Sequence, residues 1–131
     1  MSAKSWLGQA YPTPAAECPK SKALEHTLLK WRHITPSMLK RHGLKKSHAC
    51  ILDKFDNEIL RIGAGSCALC IYYNHDISCR SKDGEQCPIF KARNTRCHSG
   101  YRPPYCIWLF EDDASPMIEL IRKTIRIRDK V

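Results

Sequence analysis

Five cysteines fall within residues 67–97, in the stretches "CALCIYYNHDISC" and "EQCPIFKARNTRC". A chain with thiols this dense must pair them, place them on a metal, or leave one reactive, and each choice dictates a different fold. Residues 1–20 hold no uninterrupted apolar segment of the kind a secretory leader needs. No apolar run approaches the roughly twenty residues that span a bilayer. The expectation is therefore a cytoplasmic chain without a membrane partner, in a compartment where thiols stay reduced. There, eight cysteines in all favour metal binding over a disulfide framework. Zinc is the expected metal, with an iron–sulfur cluster as the alternative.

Tetrahedral zinc–thiolate sites need sulfurs roughly 3.8 Å apart, a spacing that a C-x2-C turn can present. Cys67-Ala-Leu-Cys70 has that length. The other half must come from Cys79, Cys87 and Cys97. Cys79 and Cys87 flank a polar loop containing Asp83–Gly84 that can fold back on itself, and Pro88 makes a rigid exit. The first choice of ligands is Cys67, Cys70, Cys79 and Cys87, with Cys97 as the replacement for Cys79 or Cys87; His75 and His98 are further substitutes. Cys18, Cys50 and Cys106 read as small apolar residues.

The expected fold class is α+β, mainly α. Residues 1–20, with Pro12, Pro14 and Pro19, read as an extended N-terminal arm, ordered where Trp6 or Tyr11 docks. Residues 21–131 form a single zinc-stabilised domain with its metal region at 67–97. Within it, a helix capped by Ser21 puts Leu24, Leu28 and Trp31 on one face. Lys30 and Arg32 sit near its end, where positive charge suits the helix dipole. A short second helix runs between Thr35–Pro36 and Gly43. Two strands, 50–55 and 58–62, form a weak β-hairpin turning at Asp56–Asn57. A helix with Pro104 early turns Tyr105, Trp108 and Leu109 inward. The amphipathic C-terminal helix starts at Ser115–Pro116, burying Met117, Leu120, Ile121 and Ile125.

Net charge is +9, and residues 1–48 alone carry +7 while residues 107–131 sum to zero. Such asymmetry points to an anionic partner, with nucleic acid the commonest. Lys40, Arg41, Lys45 and Lys46 form the basic rim of the helical corner, which is too short for a recognition helix of the helix-turn-helix kind. Around the cysteines stand Arg80, Lys82, Lys91, Arg93, Arg96 and Arg102. They either offset the negative charge of a zinc–thiolate centre or grip phosphate, with Phe90, Tyr101 or Tyr105 for base stacking.

The order of a helix with Leu28 and Trp31, "CALC", Cys79, Cys87–Pro88, Cys97, "PY" at 104–105 and "PMIELI" resembles small cysteine-rich accessory proteins of tailed bacteriophages. Their pattern is C-x-L-C, a later C-x2-C-P, a further Cys and Pro-Tyr. The resemblance spans about residues 22–122. It implies Cys67, Cys70, Cys79, Cys87 and Cys97 as candidate ligands, a metal site and a phage accessory role in the host cytoplasm, with no catalytic residues. Here the second pair is stretched from two intervening residues to seven.

Three functions follow as expectations. The first is a non-enzymatic, zinc-binding accessory protein that holds nucleic acid on a basic surface. The second is a phage-encoded inhibitor of a host or anti-phage defence protein, anchored by Trp6, Tyr11, Trp108 or Phe110 beside the acidic 111–113. The third is an HNH-like nuclease built on His75 or His98. A reactive Cys97, between Arg96 and His98, is a further catalytic possibility.

Overall fold

The apolar stripe of the first long helix organises the molecule. A computed structural model describes residues 3–63, 66–73, 86–93 and 103–130. Helices α1 (Ala3–Ala10), α2 (Ala23–Arg32) and α3 (Pro36–Arg41) precede strands β1 (Lys45–Ser47), β2 (Cys50–Leu52) and β3 (Glu58–Arg61). Helices α4 (Ala68–Tyr73), α5 (Pro88–Arg93), α6 (Pro104–Glu111) and α7 (Ser115–Asp129) follow. The fold is mainly helical with one small antiparallel sheet, as the periodicity predicts.

On α2, Ala23, Leu24, Thr27, Lys30 and Trp31 are buried. That spacing of three and four faces one side of a helix, and α1, α4 and α7 pack against α2. Trp31 meets Trp108 of α6 edge to face at 5.2 Å and Tyr105 at 6.2 Å, geometries that suit the ring quadrupoles. The Tyr105 hydroxyl donates to the Ile62 carbonyl at 2.7 Å, which ties α6 to the end of β3. α7 begins at Ser115–Pro116 as expected and buries Met117, Ile121 and Thr124, with Leu120 and Ile125 half-buried.

Four local expectations are corrected. The extended arm is instead the helix α1 followed by two 3-10 turns, Ala15–Glu17 and Lys20–Lys22. The cause is Trp6, 0% exposed, whose indole N–H donates to the His33 carbonyl at 2.8 Å, just past the end of α2. Ser21 lies in the second 3-10 turn and does not cap α2, whose N-cap is Lys22 with no side-chain cap bond. The hairpin is a three-stranded sheet, because Lys45–Ser47 pairs antiparallel with β2. Its charged residues lack the alternation that marks a strand, and His48 takes the left-handed conformation (φ 53°) at a turn without glycine. Asp56 does the same (φ 65°) between β2 and β3. There the Asp53 carboxylate fixes the turn by accepting from the Phe55 and Asn57 amides at 2.8 and 2.9 Å. Finally, the "CALC" stretch opens a helix, α4, rather than an isolated turn.

Candidate functional site

Cys67 immediately precedes α4, and its carbonyl accepts the Ile71 amide at 3.1 Å. Cys87 stands in the same relation to α5, accepting from the Lys91 amide at 3.1 Å. Each of the two short helices thus begins on a cysteine. α4 rests on α2 and α5 on α7, and α2 and α7 pack on each other.

Cys67 is half-buried, and its surroundings favour the thiolate form. A hydrogen bond from the Cys70 thiol holds its pKa well below the ordinary thiol value; against the cost of burial, the Lys30 ammonium and the Cys70 and Leu69 amides act in the same direction. Lys30 is 1% exposed and donates to the Ser66 carbonyl at 2.9 Å. The Thr27 hydroxyl, which donates to Ala23 at 2.8 Å, lies 3.9 Å from the Cys67 sulfur. Cys18 and Cys50 go the other way. Burial and Glu25 push the Cys18 thiol up; Cys50 is raised first by its 3.1 Å bond to Glu58.

This chemistry fits a soft metal, since thiolate is the form that binds zinc and an ammonium beside it offsets part of the site's negative charge. The candidate ligands Cys79 and Cys97 lie outside the described residues, as do His75 and His98. Among the described residues, no three Cys, His, Asp or Glu side chains form a metal-holding group. Cys67 and Cys70 are hydrogen-bonded to each other, and Cys87 does not join them in a group of three. Lys30 and Thr27 are neighbours of Cys67 that the sequence reading missed. The signal was present: Ala23, Thr27 and Lys30 recur at helical spacing on the buried face, so Lys30 had to be an interior lysine rather than a dipole charge at the helix end.

The basic candidates divide sharply. Lys40 and Arg41 on α3 are exposed, and no carboxylate among the described residues pairs with them. Lys45 is exposed but pairs with Asp56. Lys46 is turned inward: it donates to the Leu109 carbonyl at 2.8 Å and sits 4.9 Å from the centre of the Trp108 ring. It caps the end of α6 and takes no place on the outer rim. Lys91 is exposed on α5 and Arg93 is half-buried. Arg80, Lys82, Arg96 and Arg102 lie outside the described residues. α7 presents Arg122, Lys123 and Arg126 outward, with Arg122 bound to Glu119 and Arg128 bound to Glu25.

Of the aromatic anchors, Trp6 and Trp108 are fully buried and Tyr11 half-buried, its hydroxyl accepting from the Ala15 amide at 2.7 Å. Phe110 is 75% exposed at the end of α6. Tyr105 is committed to the core, and Tyr101 lies outside the described residues. Among the described residues no helix is long and apolar enough to cross a membrane. Comparison with protein-family models, with curated proteins and with solved structures finds no match to the chain.

Proposed function

We propose that this chain is a non-enzymatic accessory protein of the tailed-phage type, stabilised by zinc and binding nucleic acid through the basic end built from α3, β1 and the β2–β3 turn. The observation that supports this reading best is the pair Lys40 and Arg41, exposed side by side on α3 with no carboxylate neutralising them among the described residues. Lys45 and Lys54 are exposed close by along the chain. The outer face of α7 is the weaker choice. Residues 107–131 carry no net charge, whereas residues 1–48 carry +7, and association of a polyanion follows the larger field.

Zinc enters as a structural element. Cys67 and Cys70 supply two ligands, and two more come from Cys79, Cys87 and Cys97. A closed thiolate site contributes folding energy rather than chemistry. Elemental analysis of freshly purified, reduced protein is expected to give about one zinc per chain. Cys67→Ser and Cys70→Ser are each expected to abolish it; full zinc content in both variants would remove these residues from the site.

The nucleic-acid reading is tested by fluorescence anisotropy with labelled oligonucleotides over a salt series. Phosphate contacts release counterions, so affinity is expected to fall by at least about tenfold between about 50 and about 200 mM salt. Binding that is absent, or indifferent to salt, overturns it. The inhibitor reading retains one specific observation, the exposed Phe110 beside Glu111 and Asp112. It would replace the first if a host protein co-purified with the wild type after nuclease treatment and was lost with Phe110→Asp.

A further inference from the structure

The two thiols on the first turn of α4 touch each other. Cys67 stands just before the helix and Cys70 lies within its first turn. The Cys67 carbonyl accepts the Ile71 amide at 3.1 Å, so the helical bonding already includes Cys67. Residues three apart on such a turn have Cα atoms about 5 Å apart, inside the range of about 4.4–6.8 Å that a disulfide spans. The side chains converge as well, since the Cys70 thiol donates to the Cys67 sulfur. Both cysteines are free and half-buried, so neither is sealed from solvent. Cys18 and Cys50 use their thiols differently, on the Pro19 carbonyl at 3.4 Å and on Glu58 at 3.1 Å.

The surroundings suit exchange chemistry. Lys30 is 1% exposed, with its ammonium on the Ser66 carbonyl at 2.9 Å, and its charge acts on Cys67. A buried ammonium is costly unless an anion accompanies it, and a Cys67 thiolate supplies that charge. Thiolate is the attacking form in thiol–disulfide exchange. Cys70, in contact with Cys67, stands where a resolving thiol has to stand.

We propose that Cys67 and Cys70 are a redox-active dithiol that exchanges with small-molecule disulfides of the glutathione kind. The Cys67 thiolate attacks one sulfur of the small disulfide, breaking its S–S bond and expelling one thiolate. Cys70 then attacks the Cys67 sulfur of the mixed disulfide, and its proton leaves with the second small thiol. The two cysteines are oxidised to one internal bridge. The small disulfide takes up the two electrons and is reduced to one thiolate and one thiol. Closing the bridge removes negative charge from beside Lys30, so the bridge is expected to reopen readily in reduced glutathione. A bridged sulfur is no longer the thiolate that binds a metal. Where this pair holds zinc, oxidation therefore releases it. The inference goes beyond the zinc and nucleic-acid readings and depends on neither.

The test incubates the reduced chain, with and without a chelator, in buffers of rising oxidised-to-reduced glutathione ratio. Free thiols are then blocked with iodoacetamide and the peptides mapped by mass spectrometry. The expected result is a bridge between Cys67 and Cys70, located by fragmentation with Cys79 still alkylated, and reopened by excess reduced glutathione. In Cys70→Ser the exchange stops halfway, and a glutathione adduct is expected to persist on Cys67. In Cys67→Ser the adduct on Cys70 is expected to form at least about tenfold more slowly. Far-UV circular dichroism checks that both variants keep the wild-type helical signal, and the wild-type map decides the matter if either fails to fold. Cys67 and Cys70 both alkylated at the most oxidising ratio, or bridged to other cysteines instead, overturn the dithiol. An adduct that forms faster on Cys70 overturns Cys67 as the attacking sulfur. Zinc content of the same samples keeps the readings apart. A bridge in a chain that never held zinc overturns the zinc reading alone. Bound zinc, with thiols that stay unbridged even after chelation, overturns the dithiol alone.

Discussion

Two lysines in one short stretch show how little residue type alone decides. Lys45 faces solvent opposite Asp56, while Lys46 satisfies a carbonyl near the end of α6 and lies against Trp108. Adjacent positions on a strand point to opposite faces, so one of the two had to turn inward. Lys46→Met is expected to cost about 1–3 kcal/mol in denaturant melts, through the lost carbonyl bond and cation–π contact. Its affinity for an oligonucleotide is expected to stay within about twofold of wild type. A marked loss of affinity at full stability would place Lys46 on the binding surface after all. Trp6 gives the second prediction at this scale. Trp6→Ala is expected to cost about 3–5 kcal/mol, because it empties a fully buried indole site and orphans the His33 carbonyl. Unchanged stability would return residues 1–20 to a loose arm.

At the scale of elements, α2 and α7 are clamped at their ends by Arg128, which reaches Glu25 at 2.6 Å. The guanidinium bond, with help from the Glu25 amide and Lys22, holds the Glu25 carboxyl below its usual value. A depressed acid binds fewer protons folded than unfolded, so its contribution is present above about pH 4.3 and fades as pH falls through the folded value. Both side chains are substantially exposed, so the effect is small and screened by salt. Arg128→Ala is expected to flatten part of the fall in melting temperature between about pH 5 and about pH 3 at low salt. An identical acid profile would dissolve the clamp.

Helices were legible wherever a stripe of apolar residues ran long enough. Trp31, Trp108 and Met117 were placed correctly because their neighbours repeat at three and four. α1, β1 and α4 were not. α1 is carried by a single tryptophan docking over a distance, β1 is a charged strand made by pairing, and the α4 sequence was read for its sulfurs instead of its backbone. At the candidate site, the closeness of the Cys67 and Cys70 thiols was legible from their spacing. Lys30 depends on what the fold brings opposite it, the Ser66 carbonyl and Cys67.

For the whole molecule, the cysteines before α4 and α5 and the exposed cations of α3 lie on different elements. α4 and α5 have six residues each, too few to hold helical form without tertiary support. Each starts on a cysteine, one resting on α2 and the other on α7. A metal shared between them would staple the two layers, as small domains with modest cores require. Stripping the protein with a strong chelator is expected to lower its melting temperature and its far-UV helical signal together, both returning with added zinc. A chelated protein that melts unchanged would contradict the staple.

The basic end carries the central claim, and its charge can be counted directly. Log affinity against log salt for a duplex oligonucleotide has a slope of roughly 0.9 per neutralised phosphate. The Lys40→Ala/Arg41→Ala double variant is expected to keep the wild-type melting temperature, since both side chains are exposed, and to reduce that slope by about 1.8. A double variant with the wild-type slope and affinity would contradict the assignment of nucleic-acid binding to this face.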